Sequence, residues 1–93
     1  MHTVGATVLI VDDDASARRL LQVRLRALGC EPIMAADGKE ALDLLRRDVP
    51  AVMLLDLEMP RMGGLELLRE LRRSGIDVPT IVITAHGSIE TAV

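Results

Sequence analysis

Three apolar runs in this chain end on groups that can do chemistry. "VLIVDDD" drives Val8–Val11 into Asp12, Asp13 and Asp14. "VMLLDLE" closes on Asp56, and "TIVITAHG" reaches Thr84. If these runs are neighbouring strands, roughly 4.8 Å apart, Asp12, Asp13 and Asp56 converge on one small volume. Two carboxylates about 5 Å apart repel by roughly 3 kcal/mol at an effective dielectric near 20, so a cluster of three takes up protons or a cation. An all-oxygen donor set with few carboxylates suits Mg²⁺, which completes its octahedron with water and substrate phosphate. With a hydroxyl such as that of Thr84 close by, the set makes a small phosphoryl-transfer site. In it one carboxylate is the nucleophile and the cation offsets charge on the transferred group. Each residue alone has a plainer reading. Asp14 is best taken as a helix N-cap, and Asp12 and Asp13 singly would be read the same way. Thr84 singly is a cap or turn residue. The combination, with Met59-Pro60 and Gly63-Gly64 following Asp56, favours a site. His86 is a lone loop histidine and receives no catalytic role.

The elements that must position these groups alternate. "TVLIV" (7–11), "AVMLL" (51–55) and "TIVIT" (80–84) are nearly continuous apolar runs, which suit strands buried on both faces of a parallel sheet. "EPIMAA" (31–36) is a weaker strand, and Pro32 puts it at an edge. Between them, Ala17, Leu21, Leu25 and Leu28 make an apolar stripe over 15–28, stopped by Gly29. Asp37 can cap "GKEALDLLRR", with Glu40 in capping-box position. "LELLRELRRS" (65–74) ends with Arg72 and Arg73 before Gly75. "GSIETAV" is expected to begin a helix after Gly87. Met34 and Met53 are expected in the core, and Met59 and Met62 in loop packing. The β-α-β-α-β-α-β-α order implies an α/β layered fold with right-handed crossovers, in which ligands bind at the carboxyl ends of strands where the order reverses. The expected strand order is 2-1-3-4.

Bulk properties bound the partners. The 93 residues make one domain or part of one, with 49% hydrophobic residues, 27% charged and no Phe, Tyr or Trp. The net charge of -3 argues against direct nucleic-acid contact by this segment. The lone cysteine, Cys30, is read as a small core residue in a reducing compartment. "MHTVGAT" lacks the features of a signal peptide, and no apolar stretch reaches membrane-spanning length. A cytoplasmic protein is expected.

"VLIVDDDASARRLL", "VMLLDLEMPRMGGLELL" and "TIVITAHGS", in this order and at this spacing, resemble the receiver domain of two-component response regulators. The resemblance covers essentially the whole chain, 1–93. It implies a doubly wound flavodoxin-like fold that accepts a phosphoryl group from a sensor histidine kinase, with Mg²⁺, without being a conventional enzyme. By resemblance Asp56 is the phosphoacceptor and a metal ligand, Asp13 a direct ligand and Asp12 a ligand through water. The backbone carbonyl of Glu58 is a further ligand and Thr84 the switch hydroxyl. The exposed side of the first helix is a surface for the kinase. The ending "TAHGSIETAV" is most similar to receivers of the nitrogen-regulation type of transcriptional activator, which implies a DNA-binding or ATPase output domain outside these residues.

The chain also departs from the family pattern. Receivers continue into a fifth strand bearing a lysine and an aromatic switch residue, and a fifth helix. The single lysine here, Lys39, falls on the second helix. A fourth strand left bare at the sheet edge would pair with another chain, so a dimer or domain swap through strand four is expected. Two other functions compete with phosphoryl acceptance. One is a phosphate-independent interaction module with the same fold. The other is a Mg²⁺-dependent phosphohydrolase, ranked last because Glu58 stands where such enzymes carry a second aspartate.

Overall fold

The computed structural model describes residues 5–59, 61–83 and, as backbone, 89–92. Four parallel strands, β1 (Thr7–Val11), β2 (Glu31–Ala35), β3 (Val52–Asp56) and β4 (Thr80–Ile83), alternate with α1 (Ala15–Ala27), α2 (Gly38–Arg47) and α3 (Gly64–Ser74). A last strand, β5 (Ile89–Ala92), follows. The sheet order is β2-β1-β3-β4-β5. The expected 2-1-3-4 arrangement of a doubly wound fold is therefore present, and the order reverses between β1 and β3. Leu9 lies opposite Ile33 on one side and Met53 on the other.

Local chemistry explains where the helices begin and end. The Asp14 carboxylate accepts from Ser16 N at 2.9 Å and caps α1. Asp37 caps α2 by accepting from Glu40 N at 2.8 Å, while Glu40 Oε1 reaches back to Ala36 N at 2.8 Å, one residue beyond the usual capping-box partner. Helix α3 ends at Gly75, whose φ of 72° is left-handed, a conformation that costs glycine nothing. Ile76 N then closes onto Leu71 O at 2.9 Å.

Alternation along each strand sends neighbouring side chains to opposite faces. Leu9, Val11, Met53 and Leu55 pack with Ala41, Leu42 and Leu45 of α2 and with Leu67 and Leu71 of α3 in one core cluster. Full burial of each large aliphatic side chain is worth about 1.5–3 kcal/mol. Val8 and Ile10 point to the other face, where α1 runs. Both are buried, yet α1 itself buries no residue completely.

Five expectations are corrected. The segment after Gly87 supplies a strand in place of a helix: Ile89–Ala92 pairs antiparallel with β4, Val82 opposite Glu90. An isolated helix this short is marginal, whereas a strand satisfies the open backbone groups of β4. In consequence β4 is not the sheet edge, and its outer hydrogen bonds are met within the chain. Met34 is 37% exposed. It sits on the edge strand β2 and lines an open groove with residues of α1 from Ala15 to Gln22. Leu28 is 78% exposed because it is the C-cap of α1, after which Cys30 N bonds Leu25 O at 2.9 Å. The apolar stripe of α1 thus stops at Leu25. Cys30 itself is half-buried.

Candidate functional site

Val11 of β1 lies opposite Leu55 of β3, so Asp12, just beyond β1, and Asp56, the last residue of β3, lie at the same edge of the sheet. Asp12 is held there by its own backbone: its N–H donates to Ala35 O at 3.1 Å, which continues the β1–β2 ladder beyond Val11. Its carboxylate accepts from Asp14 N at 2.9 Å. The Asp56 carboxylate accepts from Glu58 N at 3.0 Å, a short Asx-type turn that aims it along the loop after β3. Oxygens of Asp12, Asp13 and Asp56, one from each, all lie within 4.8 Å of one another. The Asp12 carboxylate is the most enclosed, Asp56 is half-buried and Asp13 is exposed.

This convergence carries an electrostatic cost. Burial pushes the Asp12 carboxyl above its ordinary range, the Asp14 N–H bond opposes that, and the charges of Asp56, Asp13 and Asp14 add to the rise. Hard oxygen donors at this separation, with repulsion for a cation to relieve, fit a small divalent ion such as Mg²⁺.

The loop behind Asp56 is shaped to hold it. Gly64 N donates to Leu57 O at 3.2 Å. A Cβ at Gly64 would lie 2.8 Å from Leu57 Cα and 2.9 Å from Asp56 O, so only glycine lets α3 approach this closely. Arg61 and Met62 have φ of 50° and 35°, a left-handed conformation that costs roughly 1 kcal/mol or more at each. Met59 and Met62 are half-buried against the core cluster, and that packing offsets the strain.

Among the expected site residues, Asp12, Asp13 and Asp56 are brought together. Glu58 is exposed on the loop two residues beyond Asp56. Thr84 lies outside the described residues, as do His86 and Pro60. Ile83, which precedes Thr84, is paired with Asp56, so β4 ends at the same edge of the sheet. Lys39 is exposed on α2. Arg18, on the first turns of α1, is half-buried and donates to the Asp12 backbone carbonyl at 2.6 Å. Nothing in the spacing of an arginine six residues after Asp12 signals a bond to main chain.

The response regulator receiver domain family matches residues 8–93. The chain belongs to the response regulator receiver family. This receiver is 44% identical over 89 residues to a probable transcriptional regulator ycf27 of Porphyra purpurea, covering 96% of the chain and 36% of that relative. It therefore spans about a third of the length of such curated relatives. The receiver domain of Francisella response regulator 1452 superposes with a TM-score of 0.83 at 33% identity, over 90% of this receiver and 69% of that chain. Response regulator TrrA of Thermotoga maritima, solved in complex with Mg²⁺ and BeF, matches with a TM-score of 0.79 at 36% identity, over 86% and 70% of the two chains. As a receiver, the chain is a module of two-component signal transduction. Among the described residues, no helix is long and apolar enough to cross a membrane.

Proposed function

We propose that this single receiver domain accepts a phosphoryl group from a sensor histidine kinase onto Asp56, with Mg²⁺ held by Asp13, Asp56 and the Glu58 carbonyl and, through water, by Asp12. An Asp56 carboxylate oxygen attacks phosphorus in line; the O–P bond forms as the P–N bond to the donor imidazole breaks, and the ring nitrogen leaves with the electron pair. Bound Mg²⁺ supplies charge neutralisation for the transferred group. Asp12 and Asp13 keep the cation beside the acceptor, and the Glu58 N–H orients the Asp56 carboxylate so that its other oxygen is free to attack. Thr84 serves as the hydroxyl that contacts the phosphoryl group. The observation that carries this reading is the meeting of the Asp12, Asp13 and Asp56 oxygens within 4.8 Å.

The domain acts once per phosphorylation and is a signalling module more than an enzyme. It works in the cytoplasm, and the relative from Porphyra purpurea, described as a probable transcriptional regulator, supports an output that acts on transcription. The nitrogen-regulation subtype rests on residues that lie largely outside the described ones. Incubation with Mg²⁺ and a small phosphodonor is expected to add one phosphoryl group by intact mass to the wild type and none to Asp56→Asn. A folded wild type that stays unlabelled would instead favour an interaction module, and fast multiple turnover of phosphate esters a hydrolase.

A further inference from the structure

We infer that Arg18 is a positioning residue for the cation site, locking the peptide between Asp12 and Asp13 so that both carboxylates face Asp56. This rests on the Mg²⁺ reading above. The N-terminal side of Asp12 is fixed by the sheet, through its N–H bond to Ala35 O at 3.1 Å. On its C-terminal side, the described partner of the carbonyl is the Arg18 guanidinium at 2.6 Å. A peptide unit is planar, so holding the Asp12 carbonyl fixes the plane from which Asp13 departs, and with it the direction of the exposed Asp13 carboxylate. Arg18 can reach back because it lies on the first turns of α1, where Arg18 N bonds Asp14 O at 3.0 Å. It lines a shallow groove with Ala15, Ser16, Arg19, Gln22 and Met34. A charge-assisted bond to a carbonyl is among the stronger orienting contacts.

The sign of the effect separates positioning from charge. A cation near a cation site opposes metal binding, so if Arg18 acted only through its charge, removing it would tighten Mg²⁺. If it orients the ligands, removing it loosens Mg²⁺, by the ten-fold or more typical of groups that hold metal ligands. Arg18→Met keeps the aliphatic stem and deletes the donor; Arg18→Lys keeps a donor and the charge. Each is titrated with Mg²⁺ alone, following amide NMR shifts around Asp12–Asp14 and Asp56, with thermal unfolding measured without metal. The expected result is Mg²⁺ affinity lower by about ten-fold or more in Arg18→Met and intermediate in Arg18→Lys, with metal-free unfolding of Arg18→Met close to wild type. Equal or tighter binding in Arg18→Met, while wild type binds, would overturn the role of Arg18 and leave the metal site standing. If Arg18→Met does not fold, Arg18→Lys decides, and wild-type affinity there overturns the inference. A wild type that shows no Mg²⁺ shifts removes both readings.

Discussion

The two faces of the sheet are made from the same strands and differ sharply in how they are covered. On the α2/α3 face, Leu55, Met53 and Leu67 are each 0% exposed. On the α1 face Ile10 is also buried, but Leu54 and Ile81 are half-buried, and Leu20 and Val23 of α1 stand 55% and 59% exposed. Leu54 and Leu55 are chain neighbours of one residue type, so the difference belongs to what the helices bring and not to the strand. The cluster of Asp12, Asp13 and Asp56 lies on the boundary. Gly64 of α3 supports Asp56 from the well-covered side, and Arg18 of α1 holds Asp12 from the other.

Core truncation gives the largest test of that contrast. Leu55→Ala is expected to cost about 3 kcal/mol of unfolding free energy by denaturant titration, as large-to-small changes in closed cores do. Leu20→Ala is expected to stay within about 0.5 kcal/mol. Equal losses would mean that the two faces are equally closed in solution.

A smaller effect should sit at the boundary. Gly64→Ala forces a methyl against Leu57 Cα and Asp56 O, and about 1–3 kcal/mol is expected from such overpacking. Because the strain falls on Asp56 itself, phosphorylation by a small donor should slow along with the loss of stability. A destabilised variant labelled at the wild-type rate would show that Gly64 serves packing alone.

The pH dependence is subtler. Asp12 has a raised folded-state pKa, so between its unfolded and folded values the native state binds more protons than the unfolded one. Metal-free stability therefore falls as pH rises through that window, just above the usual aspartate range, and the full penalty stands at neutral pH. Asp12→Asn is expected to raise the metal-free melting temperature at pH 7 and to leave it nearly unchanged well below that window. Mg²⁺ should reverse the order at pH 7, by stabilising wild type and not the variant. The smallest effect is expected at the Arg73–Glu70 ion pair on α3, in which Arg73 is exposed and Glu70 half-buried. Glu70 is held below its ordinary range by its bond to Arg73, yet Glu70→Gln should leave thermal unfolding unchanged, because screening makes such surface pairs weak.

Much of this architecture is written locally. The β-branched runs, the Asp14 and Asp37 caps and the Gly75 stop each act within a few residues, so strands β1 to β4 and the three helices are legible from the letters. The expected neighbouring of strands one and three placed Asp12, Asp13 and Asp56 together, and the sheet order brings them there. Short apolar or mixed segments are less legible. Ile89–Ala92 can be a helix start or a strand until the open edge of β4 selects pairing. Met34 reads as core until β2 proves to be an edge strand.

By itself the sequence determined the elements from β1 to β4, their order and the acidic groups that follow β1 and close β3, because propensity, capping and periodicity are short-range. Only the tertiary structure decided which face of the sheet is closed, how near the Asp12, Asp13 and Asp56 oxygens approach, and that Arg18 turns inward to the Asp12 carbonyl. The first two depend on contacts between residues far apart in the chain, whose energies exist only once the sheet has assembled, and the third on how α1 is set against the end of β1.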